Sequence, residues 1–182
     1  MAQSLFVVRV PEVEPYVAHL RARFDPAAKR GLAAHITVLH SSMPPDRIDQ
    51  TVIERVVTAA STVAPFSYQV ARVARFPATL YLAAEPAAPF VSLNEKLLAA
   101  LPAHAPDDKR RQPFVPHISI VRRSAVDDRD VETELAKMLE RHGPIHCACR
   151  GIVLLENSSN MWRPVQEFAL SGGMGSPSLG LS

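Results

Sequence analysis

Two four-residue stretches of the chain share one order of side chains: histidine, apolar, hydroxyl, apolar. Residues 35–38 read His-Ile-Thr-Val, and residues 117–120 read His-Ile-Ser-Ile. In an extended strand successive side chains point to opposite faces, so each histidine shares a face with the hydroxyl two residues later. Both stretches are therefore predicted to be strands with an imidazole beside a hydroxyl on one face and apolar side chains on the other.

This pairing of side chains suits the cleavage of a phosphate ester. Imidazoles ionise near neutral pH, so two of them on opposite sides of a phosphorus atom could take one proton and give another. Each positioned proton transfer accelerates a reaction by about 10²–10⁴-fold. The hydroxyls could donate to the oxygens on which charge accumulates. The candidate catalytic residues are His35, Thr37, His117 and Ser119, and this chemistry needs neither a metal ion nor a cofactor.

Two other classes of function stay open at this point. A single His-x-Thr triplet is common and usually structural, and only its repetition in equivalent places points to a site. A metal hydrolase could use His35 and His117 with nearby carboxylates, but neither stretch contains an acidic residue. A nucleotide-binding or RNA-binding module could keep the fold and catalyse little.

The elements around the two stretches follow the same order in both halves of the chain: helix, strand, helix, strand, strand. The first half has a helix at 14–24, a strand at 34–40, a helix at 47–60 and strands at 66–76 and 79–85. The second half has a helix at 90–101, a strand at 115–121, a helix from 127 to the Gly-Pro break at 143 and strands at 145–156 and 162–170. An additional strand at 5–10 precedes them, and patterning does not assign it to a sheet.

This repetition predicts an α+β protein with a bilobal, duplicated fold. Two mainly antiparallel sheets with flanking helices would surround a central cleft. We expect one domain over residues 1–170, with halves at about 11–86 and 87–170. Residues 171–182 are rich in Gly, Ser and Pro without apolar periodicity, and are predicted to be a disordered tail.

Composition excludes several other kinds of site. The formal net charge of the 182 residues is only +2, which is not typical of a polybasic binder. The sequence contains neither a G-x-G-x-x-G nor a Walker A pattern, and its two cysteines, Cys147 and Cys149, form no zinc-finger spacing. The first residues resemble a strand more than a signal peptide, and no apolar run approaches the roughly 20 residues of a membrane span. We therefore expect a soluble, cytoplasmic protein.

The segments around both histidines resemble the signature motifs of a known superfamily. Residues 34–39 and 114–120 are similar to the two motifs of the two-histidine (2H) phosphoesterases. Residues 75–82, Trp162 and residues 165–170 resemble more closely the 2′-5′ RNA ligase/cyclic phosphodiesterase branch. The resemblance extends over roughly residues 3–171.

This resemblance implies a bilobal fold, catalysis without a metal ion, and action on 2′,3′-cyclic phosphates of RNA ends or nucleotides. Weak 2′-5′ ligation would be the reverse reaction. By motif position, His35 and His117 would be the acid/base pair, and the hydroxyls of Thr37 and Ser119 would bind the phosphate. Ser119 stands where the family more often has Thr, and it keeps the hydroxyl donor. Which histidine is the acid stays open. Because one chain builds the cleft, we expect a monomer. We also expect no membrane partner.

Three further residues are candidates for substrate binding. Arg122 follows the second motif at a place where the family has a basic residue associated with the substrate phosphate, although strict alternation points it away from His117. Tyr81 and Phe114 could stack on a base, with core packing as the simpler role. A basic loop at 109–111 could steer an RNA backbone. His40 is predicted to lie on the face opposite His35 and is left out of the site.

Overall fold

The computed structural model of the protein describes residues 2–41, 44–102, 113–122 and 128–173. This part of the chain forms eight strands and four α-helices. The strands are β1 (Ser4–Arg9), β2 (His35–Ser41), β3 (Phe66–Phe76), β4 (Thr79–Glu85), β5 (His117–Arg122), β6 (Ile145–Cys149), β7 (Gly151–Glu156) and β8 (Arg163–Ala169). The helices are α1 (Glu14–Phe24), α2 (Gln50–Ser61), α3 (Ala88–Ala100) and α4 (Arg129–His142).

The strands form two four-stranded sheets in which every pairing is antiparallel. The first sheet has the order β2-β1-β7-β8, and the second has the order β5-β4-β3-β6. The predicted α+β class with two antiparallel sheets is confirmed. Each motif strand, β2 and β5, lies at the edge of its own sheet, and the two motif strands contact each other.

Each sheet contains strands from both halves of the sequence, so the sheets do not follow the predicted halves at about 11–86 and 87–170. The first half changes sheet between β2 and β3, and the second half changes sheet at Arg150, where a stretch predicted as one strand divides. The residues before it pair with β3 in the second sheet, and the residues after it pair with β1 in the first sheet. That residues 1–170 form a single domain stays a prediction.

The N-terminal strand belongs to the repeat. In the first sheet β1 lies beside the motif strand β2, just as β4 lies beside the motif strand β5 in the second sheet. The order β1-α1-β2-α2 therefore recurs as β4-α3-β5-α4. The repeat begins at β1, so the strand that patterning could not assign pairs directly with the first motif.

Apolar side chains lie on both faces of the first sheet. The main core joins the two sheets and the helices, and its fully buried members include Phe6, Ile36, Phe90, Leu93, Ile118, Ile120 and Ile152. A smaller cluster covers the other face of the first sheet, and it consists of Leu5, Val7, Ala27, Leu32, Val153, Leu155 and Trp162. Local sequence signals set the helix boundaries. The Asp49 carboxylate accepts the Val52 N–H at 2.9 Å and caps the start of α2, and α4 ends at Gly143, whose φ is +73°.

The first residues of the predicted tail are hydrogen-bonded to the end of α2. The Gly172 and Gly173 N–H groups donate to the carbonyls of Val63 and Ser61 at 2.9 and 2.6 Å. The Ser171 hydroxyl donates to the same Ser61 carbonyl at 3.0 Å. The rest of the tail and the basic loop at 109–111 lie outside the described residues.

None of the helices in the described ranges is long and apolar enough to cross a membrane.

Candidate active site

The register between β1 and β2 determines which side chains of the first motif share a face. Three pairs of residues are opposite each other across the two strands: His35 with Arg9, Thr37 with Val7, and His40 with Leu5. The three β1 residues are spaced by two without interruption, so they lie on one face. Their partners on β2 lie on that face as well.

A β-bulge brings His40 to this face. Val38 is the additional residue, because the pairing passes from Thr37–Val7 directly to Leu39–Phe6. Val38 and Leu39 both belong to the main core. Two consecutive residues thus occupy the core face, and the expectation from strict alternation that His40 faces away from His35 is wrong.

The second motif strand contains an equivalent bulge. Across β4 and β5 the opposed pairs are His117 with Ala83, Ser119 with Tyr81, and Arg122 with Thr79. Ile120 is the additional residue, so the alternation restarts and Arg122 shares the face of His117 and Ser119. Alternation alone pointed Arg122 the other way, and the bulge is the physical reason why it does not.

Both motif histidines are held by the same hydrogen bond. The Nδ1 atom of His35 lies 2.8 Å from the Ala33 carbonyl oxygen, and that of His117 lies 2.8 Å from the Val115 carbonyl oxygen. A carbonyl can only accept, so Nδ1–H donates and the neutral ring keeps its lone pair on Nε2. Each histidine therefore presents Nε2 as its proton-transfer atom.

The two histidines differ in burial and in charge. His35 is 4% exposed, and burial lowers its pKa to about 4, with the charges of Arg21 and Arg122 acting in the same direction and the Ala33 hydrogen bond opposing them. His117 is half-buried, and burial and the charge of Arg122 lower its pKa as well. At neutral pH both rings are neutral in the unliganded protein, and the neutral form is favoured more strongly at His35 than at His117.

Arg122 connects the two motifs electrostatically. Its charge lowers the pKa of His117 on its own strand and of His35 and His40 on the other sheet. The strands that carry these groups, β2 and β5, contact each other. The edge strands that carry the two motifs therefore lie next to each other, with Arg122 on the face of His117 and Ser119.

Sequence reasoning missed Arg21, which joins the motif strands inside the protein. This side chain is 1% exposed, and its Nε–H donates to the Ser119 carbonyl at 3.2 Å. Its Nη2 donates to the Leu32 carbonyl at 2.8 Å and to the Asp25 carboxylate at 2.9 Å. One guanidinium therefore holds β5 against the segment that leads into β2.

Two carboxylates complete this buried link. Asp25 is fully buried and also accepts the Ala27 N–H at 2.9 Å. Glu14 accepts the N–H of Ala34, the residue before the first motif histidine, and lies 3.8 Å from Nη1 of Arg21. A usable signal was present in the sequence: Arg21 lies on the buried face of α1 and has Asp25 four residues later.

An aromatic wall supports His117. The Phe76 and Tyr81 rings stack at 4.3 Å between centroids, and they lie 5.1 and 5.2 Å from the His117 ring, in edge-to-face contacts. Tyr81 is only 6% exposed. Phe76 was not among the predicted site residues, although it lies in the segment that carries the family resemblance.

An ion-pair clamp fixes the turn that carries Phe76. The Arg75 guanidinium donates to both oxygens of Asp128 at 2.8 Å and to Glu132 at 2.6 Å. These acidic residues lie at the start of α4, so the clamp holds the β3–β4 turn against that helix.

Two further aromatic residues of the segments that carry the family resemblance, Phe114 and Trp162, occupy packed positions. Phe114 is half-buried and packs against the main core. Trp162 is buried in the smaller cluster, with the Arg30 guanidinium 5.9 Å from its ring centroid. Base stacking by Tyr81 or Phe114 stays a prediction.

The described residues contain no group of three or more His, Cys, Asp or Glu side chains placed to hold a metal ion. Cys147 and Cys149 are buried, and burial raises the pKa of each thiol to about 11. Such thiols are protonated and unreactive at neutral pH.

Solved structures of other proteins share this fold. TT0787 of Thermus thermophilus matches with a TM-score of 0.66 and 18% identity, over 94% of this chain and 99% of that one. LigT of E. coli, crystallised with 3′-AMP, matches with a TM-score of 0.62 and 17% identity, over 93% and 98% of the two chains. ATU0111 of Agrobacterium tumefaciens matches with a TM-score of 0.54 and 17% identity, over 90% and 84%. At these identities the likeness establishes the fold.

Two antiparallel sheets thus meet at edge strands that each carry a His-x-hydroxyl motif. A family model described as the 2′-5′ RNA ligase superfamily matches residues 10–160, and the chain belongs to this superfamily. The resemblance drawn from the sequence is confirmed. No curated protein matches the chain.

Proposed function

We propose that this protein is a metal-independent phosphodiesterase that hydrolyses 2′,3′-cyclic phosphates of RNA ends or nucleotides. The observation that carries the proposal is the matched pair of histidines, each with Nδ1 bound to a backbone carbonyl and Nε2 left for proton transfer. Support also comes from the superfamily and from E. coli LigT, which has been crystallised with 3′-AMP, ATP, NADP+ and phosphate.

The surroundings of the two rings support an assignment of roles. The low pKa of His35, about 4, keeps its Nε2 lone pair available at neutral pH, as a general base requires. His117 is more exposed, so a bound phosphate can approach it and favour its protonated form. We therefore assign His35 as the base and His117 as the acid in hydrolysis.

The reaction then proceeds as an in-line displacement at phosphorus. A water oxygen forms a bond to phosphorus while its proton passes to Nε2 of His35. The bond from phosphorus to one ribose oxygen breaks, and Nε2–H of His117 protonates that oxygen. The product is a ribose phosphomonoester. With an RNA 5′-hydroxyl in place of water, the same displacement forms the bond from phosphorus to the 5′-oxygen, breaks the bond to the 3′-oxygen and leaves a 2′-5′ linkage.

The other predicted residues stabilise charge around the phosphate. Thr37 and Ser119 share the faces of their histidines, and their hydroxyls would donate to the non-bridging oxygens. Arg122 would neutralise part of the charge that develops there. Tyr81 would act on the reaction by supporting the His117 ring.

A product assay over several nucleoside 2′,3′-cyclic phosphates tests this proposal. We expect hydrolysis by the purified chain, undiminished by a chelator, and ³¹P NMR of the product identifies which ester bond breaks. His35→Ala and His117→Ala should each lower turnover by about 10²–10⁴-fold. His19→Ala removes an exposed histidine bound to Glu134 and serves as the matched control.

Full activity in either motif variant would overturn the paired-histidine mechanism. Nucleotide binding without turnover would instead identify the alternative, a binding module that keeps the fold. Loss of wild-type activity on chelation, restored by a divalent cation, would show that a metal ion takes part.

A monomeric, cytoplasmic enzyme is the simplest form of this proposal. One chain supplies both histidines, so no second copy is needed to complete the site. Light scattering of the purified protein measures the mass in solution, and microscopy of a tagged chain reports its location.

A further inference from the structure

His40 lies on the same face as the motif residues, although its sequence position pointed the other way. We propose that His40 is a further substrate-binding residue of this site, and that it contacts a phosphate oxygen of the substrate together with Arg122. This inference rests on the proposed function for the class of substrate.

The register places His40 next to Thr37 on the polar face of β2. The two residues are opposite Leu5 and Val7, which are two positions apart on β1. Two positions along a strand correspond to about 7 Å. When Thr37 binds one oxygen of the substrate phosphate, the His40 ring is therefore within reach of another substrate group one or two bonds away.

The repeat gives His40 the same place that Arg122 has in the second sheet. Each residue lies five positions after its motif histidine, and each follows a bulge at the third position after that histidine, Val38 or Ile120. The two motif strands thus present an imidazole and a guanidinium at equivalent positions. Both groups donate hydrogen bonds to phosphate oxygens.

Both side chains are accessible to a ligand. His40 and Arg122 are exposed, whereas their neighbours Leu39 and Val121 are buried. Partial burial of the His40 ring lowers its pKa, and so does the charge of Arg122. An anion bound beside both groups would favour the protonated form of His40 and pair with the charge of Arg122.

Two sources of the phosphate oxygen fit this position. The oxygen could belong to the phosphate that is cleaved, or to the neighbouring internucleotide phosphate of an RNA end. A nucleoside 2′,3′-cyclic phosphate carries only the first phosphate, whereas a dinucleotide that ends in a cyclic phosphate carries both. The two substrates therefore distinguish the sources.

Binding of inorganic phosphate tests the proposal without any need for turnover. In the full chain, histidine-ring NMR signals are followed during a phosphate titration, for the wild type and for His40→Ala, His40→Gln and the control His19→Ala. We expect the His40 ring signals to shift with phosphate. The phosphate Kd should rise about tenfold or more in His40→Ala, as for the loss of a hydrogen bond to a charged group. His40→Gln keeps an N–H donor and should recover part of the affinity, and His19→Ala should bind as the wild type does.

Turnover adds the second arm of the test. A loss of kcat/KM in His40→Ala with both substrates assigns the contact to the cleaved phosphate, and a loss with the dinucleotide alone assigns it to the neighbouring one. Phosphate binding that depends on His40 in a protein that hydrolyses no cyclic phosphate would support the contact and refute the proposed function.

If His40→Ala fails to fold in a thermal scan, the wild-type titration decides. Static His40 signals at saturating phosphate would overturn the proposal, and so would wild-type affinity in a folded His40→Ala.

Discussion

The two motif strands present the same residues in different surroundings. Both have a bulge at the third position after the histidine, and both bind Nδ1 of that histidine to a backbone carbonyl two residues earlier. His35 is almost completely buried near the Arg21 guanidinium, whereas half-buried His117 makes edge-to-face contacts with the Phe76 and Tyr81 rings. A duplicated motif thus supplies two imidazoles with different proton affinities, which is how one site obtains an acid and a base.

The largest expected effect comes from removing each ring in turn. His35→Gln and His117→Gln should each lower kcat/KM by about 10²–10⁴-fold. The residual activity of His35→Gln should lose its decline at acidic pH, because that decline reports protonation of the base. The residual activity of His117→Gln should lose its decline at alkaline pH, because that decline reports deprotonation of the acid.

The pH dependence of kcat/KM in the two variants measures this difference. If His35→Gln instead lost the alkaline decline and His117→Gln lost the acidic one, His35 would be the acid and His117 the base. For the wild type we expect a bell-shaped profile with activity falling above pH 6.5, because the pKa of His117 is lowered from that ordinary value. A flat profile would contradict paired histidines.

Removal of the buried guanidinium should destabilise the fold strongly. Arg21→Met leaves the fully buried Asp25 carboxylate without its cationic partner, and we expect a loss of about 3–5 kcal/mol in the free energy of unfolding. Urea denaturation measures this loss. Arg23→Met is the control, since Arg23 is exposed on the same helix, and it should cost less than about 1 kcal/mol.

Arg21 also offers a readout beyond stability. Its charge lowers the pKa of His35, so NMR titration of the His35 ring should give a higher pKa in Arg21→Met than in Arg21→Lys, which keeps the charge. Equal pKa values of His35 in the two variants would show that Arg21 contributes to stability alone.

Stability should fall as the solution becomes acidic. Between pH 6.5 and about 4 the unfolded chain protonates His35 and the folded chain does not, so the free energy of unfolding decreases by up to about 3 kcal/mol across this window. His40 and His117, whose pKa values are also lowered, act in the same direction. Urea denaturation at several pH values should show a shallower decrease in His35→Gln than in the wild type, and identical slopes would contradict the low pKa of His35.

The smallest expected effect comes from the aromatic wall. Phe76→Ala removes an edge contact to His117 worth about 0.5–1.5 kcal/mol, so kcat should fall by about twofold to tenfold. Tyr81→Phe keeps the ring and should retain wild-type kcat, measured under saturating substrate. A loss of activity in Tyr81→Phe would show that its hydroxyl, and not only its ring, takes part.

Local patterning predicted the side chains of the site well and their orientation only in part. Period-two alternation placed Thr37 beside His35 and Ser119 beside His117, because no bulge interrupts the first three residues of either motif. The same rule failed for Arg122 and was wrong for His40, since an additional residue in a strand depends on the neighbouring strand and not on its own sequence.

By itself, the sequence determined the α+β class, the paired motifs and the apolar faces behind them, because these depend on residue type and spacing along one strand or helix. Only the tertiary structure decided that each sheet takes strands from both halves, that Arg21 joins the motif strands and that bulges place His40 and Arg122 on the faces of the motif histidines. These features depend on contacts between residues far apart in the chain, and the energy of such contacts exists only once the sheets and α1 have packed together.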